Sequence, residues 1–247
     1  MSEVHLRVRR RIAPSKPAYW EEFRLPRRPG QNVIGLLLEI QRQPVNAQGE
    51  ETTPVVYEAS CLEEVCGSCA MLINGRVRQA CSTLVSELGE TITLEPLSAF
   101  PVVRDLVVDR SVLFENLKKV RAWVSIDGTH DLGPTPPLSP TVQEEAYPLS
   151  RCIMCGACAE ACPNFGPHSP FVGAFALNQV RLLNAHATGQ FQAQERLQAI
   201  MGEGGIQDCG NAQNCVRVCP KGIPLATSIA ALNRAVLRQG LANLLGQ

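Results

Sequence analysis

Eleven cysteines in three groups constrain this chain more than any other feature. They are Cys61, Cys66, Cys69, Cys81, Cys152, Cys155, Cys158, Cys162, Cys209, Cys215 and Cys219. The N-terminal residues lack the apolar core of a secretion signal, so a reducing compartment is expected, where disulfides are rare. An odd count would also leave one thiol without a disulfide partner. The cysteines are therefore predicted to bind metal.

The first group has the pattern Cys61-x4-Cys66-x2-Cys69, and Cys81 follows after a longer gap. This is the spacing of the plant-type ferredoxins, in which four thiolates hold a 2Fe–2S cluster. Small residues such as Gly67 would let backbone N–H groups approach the sulfur atoms and stabilise their negative charge. The first group therefore predicts a 2Fe–2S site.

Two other metal sites compete with this interpretation. A four-cysteine zinc site usually pairs two short-gapped cysteine knuckles, which this group lacks. A Rieske centre requires two histidine ligands beside its cysteines. None of the four histidines of the chain is so placed.

The second group is Cys152-x2-Cys155-x2-Cys158-x3-Cys162-Pro163. It matches the bacterial ferredoxin pattern, in which the fourth cysteine ligates the other cluster of a pair. A second copy of the pattern is therefore expected elsewhere in the chain.

The third group supplies that copy with one change. Cys209, Cys215, Cys219 and Pro220 keep the frame, but Ala212 stands where the second cysteine should be. Because the missing thiolate leaves one cluster corner without a protein ligand, Ala212 is predicted to make this cluster 3Fe–4S instead of 4Fe–4S. Pro163 and Pro220 are expected to begin helices, since proline is tolerated in a first helical turn.

Crossing the fourth cysteines between the two copies gives two ligand sets. The predicted 4Fe–4S ligands are Cys152, Cys155, Cys158 and Cys219. The predicted 3Fe–4S ligands are Cys162, Cys209 and Cys215. With the first group, these sets use every cysteine of the chain.

The fold is predicted to be α+β, with a plant-type ferredoxin β-grasp domain over residues 1–105. Val4, Leu6 and Val8 alternate with polar residues, which is the period of a half-buried strand. Asn74-Gly75 lies between two apolar segments and predicts a two-residue hairpin turn. Apolar residues over 33–43 predict one helix. These elements suit a compact β-grasp arrangement around the first cysteine group.

Residues 106–247 are predicted to form a helical, bacterial-ferredoxin-like domain. A helical period begins at Val103 and extends to Val120, and further helices are expected over 171–186, 191–201 and 225–245. Residues 127–148 contain five prolines and predict a connecting loop.

Charge and hydropathy exclude several classes of function. Lys+Arg and Asp+Glu each total 23, so the chain lacks the basic surplus that nucleic-acid binding requires. No segment approaches the roughly 20 apolar residues of a membrane span. The chain is thus expected to be soluble, with membrane contact only through a partner. It also lacks a Rossmann glycine fingerprint for FAD.

The set of motifs resembles the iron–sulfur subunit of succinate dehydrogenase and fumarate reductase. The resemblance covers nearly the whole chain and includes residues 104–109 and 215–224. It implies an electron-transfer subunit on the cytoplasmic side of the cell inner membrane, held there peripherally by a membrane-anchor subunit. Electrons would pass between the FAD of a flavoprotein partner and a membrane quinone, in the order 2Fe–2S, 4Fe–4S, 3Fe–4S.

The same resemblance also indicates which type of quinone is used. Ubiquinone-reducing members carry tryptophans just after the Cys-Pro and a histidine after the first cysteine of the second copy. Here those places hold Gly166, Pro167 and Gly210, and the sequence is more similar to menaquinone-linked members with a dihaem cytochrome b anchor. Pro163, Asn164 and His168 are expected only to neighbour the quinone site.

Three alternatives for the function stay open from the sequence. Fumarate reductase would use the same relay in reverse. A free multi-cluster ferredoxin-like carrier is a second, although such carriers are usually small and acidic. A zinc-stabilised scaffold without redox activity is the third.

Overall fold

The computed structural model describes residues 3–125 and 137–246. It divides the chain into two compact units. The N-terminal unit comprises Met1–Arg110 together with Ile153–Glu160, and the C-terminal unit comprises Ser111–Cys152 together with Ala161–Gln247. Part of the second cysteine group therefore belongs to the N-terminal unit.

A five-stranded mixed sheet organises the N-terminal unit. Its strands are β1 (Glu3–Arg10), β2 (Tyr19–Pro26), β3 (Ala70–Ile73), β4 (Arg76–Gln79) and β5 (Thr91–Glu95). Their order in the sheet is β2-β1-β5-β3-β4, with β1 parallel to β5 and the other neighbours antiparallel. This is the mixed sheet expected of a β-grasp domain.

The local signals in this unit are confirmed. Val4, Leu6 and Val8 are fully buried on one face of β1. Asn74 and Gly75 join β3 to β4 with φ values of 50° and 70°, the left-handed pair that a tight hairpin needs.

Helix α1 (Val33–Arg42) buries its apolar face in the same core as the sheet. It begins after Asn32, whose Oδ1 accepts the Gly35 N–H at 2.9 Å. This cap satisfies one of the free amides of the first turn.

A cluster of charged side chains is buried in the N-terminal unit. The Arg10 guanidinium pairs with Glu21, and its Nε lies 3.0 Å from Asp105 Oδ1. The Asp105 carboxylate also accepts the backbone N–H groups of Arg11 and Val56, at 3.1 and 3.0 Å. Asp105 therefore joins three distant segments of the unit.

The predicted helix from Val103 was wrong at its start. Residues on either side of Asp105 form a short hairpin, β6 (Val102–Arg104) and β7 (Val107–Val108), and α2 (Ser111–Lys119) begins only afterwards. Asp105 has a left-handed φ of 45°, which no helix accommodates. The buried contacts of its carboxylate hold that turn.

The C-terminal unit is mainly helical. Helices α3 (Pro140–Ser150), α5 (Ala174–Ala185), α6 (Ala193–Ala199), α7 (Asn214–Val218) and α8 (Leu225–Leu244) belong to it, whereas α4 (Ala157–Glu160) lies in the N-terminal unit. Single turns of 3₁₀ helix span Val85–Glu87, Gly189–Gln192 and Ile206–Asp208. The three predicted long helices are found as α5, α6 and α8, with shorter bounds.

The predicted proline-rich loop needs a second correction. Its residues 127–136 lie outside the described residues, but α3 occupies Pro140–Ser150. Ser139 caps this helix by accepting the Val142 N–H at 3.3 Å, and Pro140 takes the first helical position. Proline fits there because that amide has no intrahelical partner. Among residues 3–125 and 137–246, no helix combines the length and apolarity of a membrane span.

Candidate iron–sulfur cluster sites

The loop of the first cysteine group turns its backbone amides toward sulfur. The N–H groups of Glu63, Val65 and Cys66 donate to Cys61 Sγ, and that of Glu64 donates to Cys81 Sγ, all at 3.3–3.4 Å. Such N–H donors stabilise the negative charge of thiolates and of the cluster that they hold. The loop therefore fits the predicted 2Fe–2S cluster.

The thiols of this group lie in contrasting surroundings. A hydrogen bond with the Ser68 hydroxyl, 3.0 Å from Cys66 Sγ, lowers the pKa of the exposed Cys66 to about 6. Burial raises the pKa of Cys69 to about 12. Because metal binding needs deprotonated thiolates, cluster binding releases protons from such buried thiols.

Gly67 brings this loop against the second cysteine group. A Cβ at position 67 would lie 2.7 Å from the Ile153 carbonyl oxygen and 2.8 Å from Cys155 Cβ. Its φ of 77° is also in the left-handed region. Glycine is thus required twice, for its backbone conformation and for the close approach to Cys155.

We expect Gly67→Ala to destabilise the first cluster site more than Gly75→Ala does. Both glycines have left-handed φ, but among the described residues, the two chain neighbours of Gly75 aside, no heavy atom lies within 4 Å of a Cβ at position 75. Gly75→Ala, the control, should lower the free energy of unfolding by about 1–2 kcal/mol, because alanine is strained in the left-handed conformation. Gly67→Ala should lower it by about 1–3 kcal/mol more, because the added Cβ overpacks against Ile153 and Cys155. Denaturant unfolding and 2Fe–2S content after purification measure both effects. Equal losses would show that the contact with Cys155 is unimportant.

The three cysteines predicted to hold the third cluster come together in the C-terminal unit. Cys162, Cys209, Cys215 and Ala212 line one small cavity. Burial raises the pKa of Cys162 and of Cys215, and repulsion from neighbouring thiols of the set adds to it. Three thiols and one methyl group around a shared space fit a cluster with one unligated corner.

The expectation that Pro163 and Pro220 begin helices was wrong. Pro163 lies in a turn shortly after the end of helix α4, and Pro220 lies in a turn shortly after the end of helix α7. These helices precede the prolines, and a proline after a helix end removes no helical hydrogen bond.

The four cysteines of the predicted 4Fe–4S set lie in different parts of the chain. Cys155 and Cys158 belong to the N-terminal unit, and Cys152 and Cys219 to the C-terminal unit. Within the described ranges, no three His, Cys, Asp or Glu side chains are arranged to hold a single metal ion. A cluster distributes its thiolates over several irons, so its ligands need not converge on one point.

The predicted neighbours of the quinone site are only partly grouped. Pro163 and Asn164 line an open pocket with Asp208 and Gly210, whereas the exposed His168 is not among its lining residues. No sequence pattern pointed to Asn214, whose Nδ2 donates to the Ala161 carbonyl oxygen at 2.9 Å. Only its place directly before Cys215 could have indicated it.

Two family models match the chain. A model described as a 2Fe-2S iron-sulfur cluster binding domain matches residues 5–115. A model described as a 4Fe-4S dicluster domain matches residues 148–223. The first agrees with the predicted 2Fe–2S cluster, and the second agrees with the predicted 4Fe–4S cluster.

Whole proteins are similar over nearly the full length. The succinate dehydrogenase iron-sulfur subunit of Bacillus subtilis is 56% identical, over 97% of this chain and 94% of that protein. The fumarate reductase iron-sulfur subunit of Wolinella succinogenes is 31% identical, over 91% and 92%. A chain of the Mycobacterium smegmatis Sdh1 complex in the apo form superposes with a TM-score of 0.77 at 25% identity, covering 96% of this chain and 97% of that one. With the cysteine loops and the mixed sheet, these similarities establish that the chain belongs to the family of succinate dehydrogenase and fumarate reductase iron–sulfur subunits.

Proposed function

We propose that this chain is the electron-transfer subunit of a succinate:quinone oxidoreductase. It relays electrons from the FAD of a flavoprotein subunit to a membrane quinone through 2Fe–2S, 4Fe–4S and 3Fe–4S clusters. Succinate oxidation is favoured over fumarate reduction because the succinate dehydrogenase relative is 56% identical and the fumarate reductase relative 31%.

The contact at Gly67 carries the proposal. The loop that bears Cys66 and Cys69 packs against Cys155, so a ligand of the second cluster lies beside the first site. The clusters, when bound, supply one-electron redox chemistry. Because electron transfer weakens steeply with distance, adjacent ligand loops favour a relay over two independent redox sites.

The proposed ligands are the sets predicted from the spacing. Cys61, Cys66, Cys69 and Cys81 hold 2Fe–2S; Cys152, Cys155, Cys158 and Cys219 hold 4Fe–4S; Cys162, Cys209 and Cys215 hold 3Fe–4S. The cavity that the last three share with Ala212 supports the three-iron assignment.

The proposed partners are a flavoprotein and a cytochrome b membrane anchor, which holds the subunit peripherally at the cytoplasmic face of the inner membrane. The proposed quinone is menaquinone. Support comes from Gly166, Pro167 and Gly210, which stand where ubiquinone-linked members carry tryptophans and a histidine. Gly210 lines the open pocket together with Pro163 and Asn164.

Coexpression of the chain with its flavoprotein and anchor subunits tests the function. The purified complex should oxidise succinate with a menaquinone analogue, and the chain alone should not. The proposed clusters correspond to about nine irons per chain. Stoichiometric zinc with about four irons or fewer would contradict the cluster assignment. Several-fold faster turnover with ubiquinone analogues would contradict the choice of menaquinone.

A further inference from the structure

Two asparagine amides connect the chain segments that carry the three-cysteine site. Asn164 Nδ2 donates to the Asp208 carbonyl oxygen at 2.6 Å. Asn214 Nδ2 donates to the Ala161 carbonyl oxygen at 2.9 Å. The two bonds run in opposite directions between the segment around residue 162 and the segment over residues 208–215.

Both acceptors stand directly before a predicted ligand. Asp208 precedes Cys209, and Ala161 precedes Cys162. A hydrogen bond to a carbonyl fixes the peptide plane that leads into the next residue, because that plane is rigid. Asn214 itself directly precedes Cys215. The two amides therefore fix the backbone beside all three cysteines.

Neighbouring side chains hold the Asn214 amide and the Asn164 main chain in place. The Arg217 guanidinium donates to Asn214 Oδ1, which leaves Asn214 Nδ2 to face Ala161. The backbone carbonyl oxygen of Asn164 accepts the Ser169 hydroxyl at 2.5 Å, which holds the main chain that bears the Asn164 side chain. The linked hydrogen bonds at Asn214 restrict the rotamers that its side chain can adopt.

Gly210 provides an independent observation on the same amide. A Cβ at position 210 would lie 3.3 Å from both Oδ1 and Nδ2 of Asn164. A side chain there therefore requires the Asn164 amide, which donates to Asp208, to shift by a few tenths of an ångström. The glycine directly after Cys209 and the asparagine two residues after Cys162 are sterically coupled.

We propose that Asn164 and Asn214 are positioning residues for the third cluster, and that Gly210 is required to leave the Asn164 amide in place. We call the two hydrogen bonds the amide brace. The inference rests on the proposed function, because it assumes that Cys162, Cys209 and Cys215 ligate the cluster. The brace holds these cysteines at a fixed separation, so that a cluster with only three protein ligands is retained.

The test uses the full complex of this chain with its flavoprotein and anchor. Asn164→Ala and Asn214→Ala each remove one donor. Loss of the oxidised three-iron EPR signal in the presence of an iron chelator should be about fivefold faster in each, the factor that corresponds to one ordinary hydrogen bond. The 2Fe–2S signal should decay as in the wild type, because its ligands lie in the N-terminal unit.

Asn116→Ala is the matched control. Its Nδ2 donates to the Val172 carbonyl oxygen at 3.2 Å, in the same unit but remote in sequence from the cysteines. This change should lower the unfolding temperature without faster loss of the three-iron signal below that temperature. Equal acceleration in Asn116→Ala would show general destabilisation and would overturn the brace.

Gly210→Val gives a second test, because a general packing role and the amide brace predict different results for it. It should accelerate loss of the signal in the wild-type background and add little in the Asn164→Ala background, since the displaced amide is already absent. Additive effects, or unchanged decay in both asparagine variants, would overturn the brace alone. A wild-type complex without any three-iron signal would overturn the proposed ligand set, and the brace with it.

Discussion

Ala212→Cys is expected to convert the third cluster from three irons to four. Position 212 lines the same cavity as Cys162, Cys209 and Cys215, so a thiolate there is placed beside the unligated corner. The gaps between positions 209, 212, 215 and 219 already match a complete bacterial ferredoxin pattern. Iron content should rise from about nine to about ten per chain, and the oxidised three-iron EPR signal should disappear.

The conversion should also slow electron delivery to the quinone. An added thiolate makes the cluster environment more negative, which lowers its reduction potential. Each drop of about 60 mV disfavours one-electron reduction of that cluster tenfold. Turnover with quinone should therefore fall by about tenfold or more, whereas succinate oxidation with an artificial acceptor at the flavin should survive.

Two variants control for the new thiol and for the loss of alanine. Ala212→Ser changes the side chain without a thiolate, and Val216→Cys adds a thiol at a nearby position that is not among the residues lining the cavity. Both should keep the three-iron signal. An undiminished signal in Ala212→Cys would mean that Ala212 does not determine the cluster type.

Arg10→Met is expected to destabilise the N-terminal unit by about 3–5 kcal/mol, the cost of removing one partner from a buried ion pair. The Arg10 side chain is only 1% exposed, and those of Glu21 and Asp105 are 10% and 0% exposed. Methionine would fill much of the volume but would leave two buried carboxylates without their cation. Denaturant unfolding, followed by the visible circular dichroism of the 2Fe–2S cluster, measures the loss.

Arg7→Met is the matched control on the same strand. Arg7 pairs with Glu22 at 3.1 Å, but their side chains are 38% and 36% exposed. An exposed pair of this kind contributes about 0–1 kcal/mol, so the control should change stability little. A similar loss in both variants would show that burial of the Arg10 cluster is not what stabilises the unit.

Features that depend only on neighbouring residues could be predicted from the amino-acid sequence. Alternation of Val4, Leu6 and Val8 identified β1, because successive side chains of a strand point to opposite faces. Asn74-Gly75 identified the hairpin, because few other residues adopt a left-handed φ at low cost. The cysteine spacings predicted cluster-binding domains, since the gaps are set by how a short loop can surround a cluster. The family models confirm those domains over residues 5–115 and 148–223.

Features that depend on residues far apart in the chain could be identified only in the folded protein. The hairpin around Asp105 replaced a predicted helix because its carboxylate accepts amides from residues 94 and 49 positions away. No local pattern encodes such contacts. Ile153–Glu160 joined the N-terminal unit, where Cys155 packs against Gly67. The amides of Asn164 and Asn214 likewise met their acceptors only because folding brought segments 44 and 53 residues apart into contact.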